Sequence, residues 1–384
     1  MYCFSAPMPY TKEDIKKLID INNQVEKSAI TSLYASLPST SELFTGFEQY
    51  RNSVLNKDWN YWKNLIGFSL ANGFDFIYLL NNPSRMPIEK SDFENTLQKL
   101  DNLLNELKSI GVNKLRIAEH KLMGYISKNY PYFDIYASTS FEFKLLAEYK
   151  NFVYMHPNIK QIVPSSDCIK NFQLLKNLRI TFPQIEIEVM VNEGCVNGCP
   201  NRDGHAAEIM DRHIFHNGNI NLSNRYFIET FCINLEKQNP FYSIIKANVV
   251  YPWEIENYAR IGINKFKLVG RDSFDLNTNL YINRYLFYLK GIDNYKEVED
   301  VSIVTFIHHL TGCSELRELK TKDVMNLLPK IEHFKKYGQL CASCCGVECR
   351  YCYKCAEKIE RVFQKKKREK EKLPKYVSAC KMET

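Results

Sequence analysis

The chain has 384 residues, 45% hydrophobic and 25% charged, with a formal net charge of +7. Residues 1–10 lack a basic start followed by an apolar run, and no apolar stretch reaches about 18 residues, so we expect neither a secretory leader nor a membrane span. The thirteen cysteines are clustered, which favours metal or redox chemistry in a reducing cytoplasm over a disulfide framework.

Eight short apolar runs of strand character alternate with segments of helical spacing. The runs cover residues 2–6, 29–35, 74–80, 114–118, 133–137, 160–164, 185–191 and 265–270. The intervening segments repeat apolar residues at helical intervals, as in Ile15, Leu18 and Ile19. Eight βα units predict a closed (β/α)₈ TIM-type barrel, with a doubly wound sheet as the alternative.

The predicted barrel spans residues 1–290 and contains an insertion at 192–250. A helical linker is expected at 291–340 and a cysteine-rich subdomain with a basic tail at 341–384. Chemistry on this fold belongs at the carboxyl ends of the strands, which form the barrel mouth. Five residues that follow strands are expected there: Asn81, Glu119, Ser138, Pro164 and Arg271.

The insertion opens with the stretch VNEGCVNGCPNRDGH, residues 191–205. Cys195 and Cys199 are three residues apart, so their thiolates can reach one metal or cluster, and Cys232 lies downstream. Iron–sulfur clusters accept cysteines of irregular spacing, so we predict a cluster here. A four-coordinate zinc or simple buried thiols are the alternatives.

A second cysteine-rich stretch, CASCCGVECRYCYKC, occupies residues 341–355. Its four-ligand order C-x₃-C-x₂-C-x₂-C reverses the bacterial ferredoxin order, whereas a zinc ribbon separates its pairs by roughly 15–20 residues. We therefore predict a second iron–sulfur cluster in preference to zinc. Which four of the six bind stays open: Cys341, Cys344, Cys345, Cys349, Cys352 and Cys355.

These motifs resemble those of the collagenase-like proteins, family thirty-two of the unclassified peptidases. That family shows N-E-G-C, three residues, then C-P-x-R-x-x-H, and a later cysteine that Cys232 matches. The stretches FSAPMPYTKEDIKKL and ITSLYASLP are similar to the first two βα units of the family. YPWEIENYARIGINKFKLVGRD is similar to its last strand region, and ECRYCYKCA is similar to its C-terminal region. The similarity covers residues 1–290 and 341–360.

The resemblance implies a barrel with an oxygen-sensitive 4Fe–4S cluster at its mouth. It also implies an oxygen-independent hydroxylase that acts on a ubiquinone precursor ring or on a base in RNA, with prephenate as oxygen donor. Proteolysis is less expected, because the chain has neither H-E-x-x-H nor G-x-S-x-G.

The chain departs from the family in two places. A fourth cysteine near Cys232 is lacking, so Cys3, Cys168 or His205 could complete the cluster, or one iron could stay open. Trp253 also stands between the proline and glutamate of the family's Arg-Pro-Glu-Asp pattern, which leaves the substrate open.

Four residues are candidates for catalysis at this mouth. Arg202 and Arg271 could hold a small carboxylate oxygen donor through bidentate contacts, or form structural ion pairs. His205 could move protons, bind iron or simply pack. Glu193 could be a general base or cap the loop.

Other functions remain open at this stage. The chain could be an RNA- or peptide-maturation enzyme, a protease of the same family, or a non-catalytic iron–sulfur subunit of a heterodimer. RNA or a small aromatic compound could be the substrate, and a redox partner is expected. The basic run KKKREKEK, residues 365–372, is either a solvated helix end or a nucleic-acid contact.

Overall fold

The computed structural model describes residues 1–36, 58–80, 90–199, 202, 240–270, 274–307, 314–330, 332–336 and 350–371. Ten strands lie within them: β1 (Tyr2–Pro7), β2 (Ser28–Ala35), β3 (Asp75–Leu80), β4 (Lys114–Ile117), β5 (Asp134–Ala137), β6 (Ile159–Ile162), β7 (Glu186–Met190), β8 (Asn192–Val196), β9 (Ala247–Val249) and β10 (Lys265–Lys267). Eight of these pair in parallel and close into a barrel in the order β1-β10-β7-β6-β5-β4-β3-β2. The predicted TIM-type barrel is confirmed, and the doubly wound alternative is wrong.

The α-helices of the described residues include α1 (Lys12–Asn22), α2 (Trp59–Ala71), α3 (Lys90–Ser109), α4 (His120–Asn129), α5 (Leu146–Met155), α6 (Phe172–Thr181), α7 (Pro240–Lys246), α8 (Ile255–Ala259), α9 (Phe274–Asp293), α10 (Thr321–Val324) and α11 (Tyr351–Glu371). A short helical stretch also covers residues 332–336. Polar caps fix several starts, as at Thr11, Asp58 and Glu119. None of the helices in this part of the chain is long and apolar enough to cross a membrane.

Successive side chains along each barrel strand point alternately toward the surrounding helices and toward the lumen of the barrel. Apolar side chains such as Leu115, Val189 and Phe266 are fully buried between barrel and helices, and the ring of Phe4 stacks on that of Phe266 with centroids 5.3 Å apart. Each large apolar side chain buried in this way contributes about 1.5–3 kcal/mol. This outer layer is therefore the main source of the barrel's stability.

The inner faces of the same strands carry charge. Arg116 on β4 pairs with Glu188 on β7 at 2.6 Å, and the two side chains are 0% and 2% exposed. Arg116 also donates to Gln161 on β6. Since β4 and β7 are not neighbours in the barrel, this contact crosses the lumen and ties opposite walls together.

The segment after the barrel is built mainly from short 3₁₀ turns, at Tyr295–Val298, Ile303–Phe306 and Ser314–Glu318. Trp253 packs edge-on against Phe306, with ring centroids 6.0 Å apart. Asp293, at the end of α9, accepts hydrogen bonds from the backbone NH groups of Glu26 and Lys27 at 2.7 and 2.9 Å. The segment predicted as a helical linker thus packs directly on the barrel.

Two histidines form a stacked pair among aromatic rings. His120 Nδ1 lies 3.0 Å from His156 Nε2, and the ring centroids are 5.2 Å apart. Phe141 lies 4.9 Å from His120, and Phe152 lies 5.2 Å from His156, between ring centroids. Burial lowers the pKa of His156, and His120 lowers it further, against an opposing effect of Glu119.

Replacing Glu188 with Ala should cost about 3–5 kcal/mol in free energy of unfolding, because Arg116 is left buried without its carboxylate. Glu186→Ala is the matched control, since Glu186 is 43% exposed and lies 3.5 Å from Lys265. Its loss should stay below about 1 kcal/mol. Urea denaturation measures both, and equal losses would contradict a structural role for the pair across the lumen.

The histidine pair should make stability depend on pH. The pKa of His156 is lower in the folded state than its ordinary value of about 6.5, so the unfolded chain takes up the proton more readily. The stabilisation is therefore present above about pH 6.5 and is lost as the pH falls through the folded-state pKa. Thermal unfolding from about pH 7.5 to about pH 5 should show a steeper loss for the wild type than for His156→Phe. Parallel curves would refute this.

Candidate functional site

The start of the insertion lies at the carboxyl end of the barrel. Residues 192–196 (β8) and 247–249 (β9) pair as an antiparallel hairpin, which the sequence did not predict. The side chain of Asn192 accepts from Val269 NH at 2.7 Å and donates to Val269 C=O at 3.0 Å. Because Val269 lies two residues after the end of β10, the hairpin is fixed above the ends of β7 and β10.

Cys195 lies near the end of β8 and Cys199 follows the tight turn at residues 197–198, and both are half-buried. Glu193 Oε1 accepts from Cys195 NH at 3.2 Å, a contact typical of a loop cap, and Cys199 NH donates to Val196 C=O at 3.1 Å. Gly198 has φ +71°, a conformation that disfavours side chains. The backbone therefore presents two cysteines at one turn of the mouth.

Asp167 is the centre of the polar network beside this turn. Its carboxylate accepts from Gly198 NH at 2.9 Å and Asn248 Nδ2 at 3.2 Å. It also pairs with Arg202 at 3.1 Å and Lys144 at 3.2 Å, while remaining 4% exposed. Burial alone would raise the pKa of Asp167, but Arg202 and the hydrogen bonds outweigh burial and lower it. Asp167 is thus an anion that joins three segments.

Sequence reasoning missed Asp167 and Asn248. Asp167 lies five residues beyond the end of β6, in the polar stretch that follows Pro164. The polar stretch after a barrel strand was the available signal, because such loops reach the mouth. No sequence pattern around Asn248 indicated a role, because its position opposite the cysteine turn depends on the pairing of β8 with β9.

Arg202 is 10% exposed and is largely occupied by protein partners. It pairs with Asp167, donates to Ser166 Oγ, and donates to Val196 C=O at 3.1 Å. Burial alone would lower the pKa of Arg202, but the neighbouring Cys195 and Asp167 raise it overall. These contacts favour the ion-pair alternative for Arg202 over a free clamp for a carboxylate donor.

The position of Arg202 bears on metal binding by the cysteines. A guanidinium next to a thiol stabilises the thiolate, which is the form that binds iron or zinc. Cys195, which lies close to Arg202, therefore has surroundings that suit a thiolate ligand of a cluster. Within the described residues no group of three His, Cys, Asp or Glu side chains is placed to hold a metal, and Cys232 lies outside those residues.

The two other cysteines suggested as ligands lie in different places. Cys3 is the second residue of β1 and pairs with Lys265, the first residue of β10, so it lies at the opposite end of the barrel from Cys195. Cys168 lies at the mouth beside Asp167, with its Sγ 3.8 Å from Phe143 C=O. Burial and then Asp167 raise the pKa of Cys168 to about 12, so this thiol stays protonated.

Three of the other residues predicted for the mouth lie within the described part of the chain. Glu119 caps α4 by accepting from the NH groups of Lys121 and Leu122 at 2.9 and 2.6 Å. Ser138 caps the 3₁₀ turn after β5, and Pro164 C=O accepts from Thr139 Oγ1 at 3.2 Å. Asn81, His205 and Arg271 lie outside the described residues.

The C-terminal cysteines are described at two positions. Cys352 and Cys355 are buried in the first turn of α11, three residues apart and therefore on one side of the helix. Burial raises the pKa of Cys355. The other four, Cys341, Cys344, Cys345 and Cys349, lie outside the described residues, so the second cluster stays a prediction.

Comparison with known proteins finds matches only among solved structures. No family model matches the chain, and no curated protein matches it. The chain is similar to the structure of the U32 peptidase Mk0906, with a TM-score of 0.45 and 10% identity over 71% of this chain and 94% of that one. It is also similar to CdNal from Clostridium difficile in complex with mannosamine, with a TM-score of 0.37 and 9% identity over 95% and 98%. A third similar structure, CpGH84B, has a TM-score of 0.34 and 14% identity over 53% and 40%.

Proposed function

We propose that this chain is an iron–sulfur enzyme, an oxygen-independent hydroxylase or a related redox modification enzyme. Cys195, Cys199 and Cys232 would hold a 4Fe–4S cluster at the barrel mouth. The observation that carries the proposal is the fixed turn at the carboxyl end of the barrel. There the polar network holds the turn that carries Cys195 and Cys199, with the guanidinium of Arg202 close to Cys195.

The protein groups at this mouth have separate tasks in the proposal. The positive charge of Arg202 would favour the thiolate form of Cys195, and Asp167 holds Arg202 and the turn in place. When bound, the cluster supplies one-electron transfer. Arg271 is the remaining candidate for binding a small carboxylate donor, since Arg202 is occupied by protein groups.

The contacts of the acidic side chain next to Cys195 bear on the choice between redox chemistry and hydrolysis. Cys195 has a positive neighbour, but a nucleophilic cysteine also needs a base that accepts its proton. Glu193, the nearest acidic side chain in sequence, contacts the backbone NH of Cys195. The protease alternative therefore gains no specific support. No observation on the described residues favours a non-catalytic subunit of a heterodimer either.

Removing Cys195 tests the cluster directly. Cys195→Ala purified without oxygen should lose iron and sulfide, and its reduced form should lose the corresponding electron paramagnetic resonance signal, because one of the predicted ligands is gone. Iron should fall by about half if the C-terminal cysteines hold a second cluster. The barrel should stay folded, as far-ultraviolet circular dichroism would show.

Cys168→Ala is the matched control, because its buried and protonated thiol should not bind iron. That variant should keep the iron content of the wild type. Full iron and an unchanged signal in Cys195→Ala would make the cluster assignment wrong. A loss of iron only in Cys168→Ala would move the site to that cysteine.

Asp167→Asn tests how the turn is held. The substitution leaves Arg202 without its buried carboxylate partner, a change that typically costs about 3–5 kcal/mol when a buried pair is broken. Trypsin should therefore cut after Arg202 at least about tenfold faster than in the wild type, because the turn opens more often. Mass spectrometry of the fragments measures the cut. Glu256→Gln, which breaks the exposed pair of Glu256 with Arg260, is the control, and equal rates would contradict the role of Asp167.

A further inference from the structure

The C-terminal helix α11 is fixed to the protein by one side. Ile359 and Phe363 are buried, and the ring of Phe363 packs on Phe241 of α7 with centroids 5.4 Å apart. At the edge of the same side, Lys366 pairs with Asp323 and Lys370 pairs with Glu318 at 2.6 Å. The orientation of α11 on the protein is therefore determined by apolar packing and two ion pairs.

The opposite side of α11 carries a regular row of cations, which we name the basic stripe. Its members follow one another at intervals of four, three, four and three residues, and all five are exposed: Lys354, Lys358, Arg361, Lys365 and Arg368. At 3.6 residues per turn they lie within an arc of about 80° and extend over about 21 Å. The row therefore forms one continuous positive edge.

Few contacts neutralise the basic stripe. Lys365 lies 3.9 Å from Glu369, with side chains 79% and 63% exposed, which makes the pair weak. Within the described part of the chain, no ion pair is found for the other four cations.

The environment of α11 decides between possible anionic partners. A helix that binds a membrane surface inserts its apolar face into the lipid, but the apolar face of α11 is covered by the protein. A linear partner with evenly spaced charges fits a straight row of five cations better than a compact acidic protein does. The phosphates of a nucleic acid provide such a row.

We propose that the basic stripe binds the sugar-phosphate backbone of a nucleic acid strand through sequence-independent contacts. The proposal goes beyond the iron–sulfur function, because none of the five cations belongs to the mouth of the barrel. Iron content reports on one proposal and nucleic-acid affinity on the other, so each can fail alone.

The test measures binding of the full-length chain to a fluorescein-labelled single-stranded RNA of about 20 nucleotides by fluorescence anisotropy. A variant with all five cations of the basic stripe changed to Gln should bind at least about tenfold more weakly at low salt. The slope of log affinity against log salt should fall in magnitude by about 3, since each phosphate contact to a single strand contributes about 0.7.

The matched control changes five exposed lysines on other helices to Gln: Lys16, Lys121, Lys128, Lys150 and Lys176. This control removes the same charge and should keep the affinity of the wild type within about twofold. A second variant, with Lys354, Lys358 and Lys365 changed to Arg, should also bind normally because the charge remains. Equal losses in both Gln variants, or no binding by the wild type, would overturn the proposal. Binding to phosphatidylserine vesicles but not to RNA would overturn it too.

Discussion

The ion pair between Arg116 and Glu188 is the contact on which the barrel's interior depends. A closed barrel of eight strands has a lumen that side chains must fill, and here several of the inner positions are charged. Desolvation of each charge is expensive unless a partner is close. The pair joins β4 to β7 across the lumen at 2.6 Å, so each buried charge has its partner on another wall of the barrel.

The arrangement of the mouth follows from this rigid barrel. The ends of β7 and β10 lie side by side, and Asn192 joins the hairpin of the insertion to Val269, two residues after the end of β10. That hairpin brings Asn248 and the cysteine turn together around Asp167. Asp167 comes from the loop after β6, so the cysteine turn is stabilised by a different βα unit.

The position of Arg202 illustrates how one side chain can serve both structure and chemistry. Its contacts with Asp167 and the Val196 carbonyl hold the turn, and its charge lies close enough to Cys195 to raise its own pKa. The same electrostatic attraction favours a thiolate on Cys195. A ligand-binding arginine would need donors directed toward open space, and most of those on Arg202 are directed toward protein oxygens.

The sequence by itself determined the fold class and the number of strands in the barrel. Alternating strand and helix periods are local properties, since each run of apolar residues reflects only which side of its own element is buried. All eight barrel strands were located in this way, and so were Cys195 and Cys199 at the carboxyl end of the seventh. The same local reasoning overlooked the charged inner faces, although Lys114, Arg116, Glu186 and Glu188 alternate with apolar residues along their strands.

Only the tertiary structure decided which distant residues meet. The β8–β9 pairing joins segments separated by an insertion of about fifty residues, which loop entropy makes hard to foresee from local pattern. Asp167 and Asn248 acquire their roles through that pairing, and Cys3 is removed from the mouth by the direction of β1. These outcomes depend on strand order and on contacts across the barrel, which no local periodicity encodes.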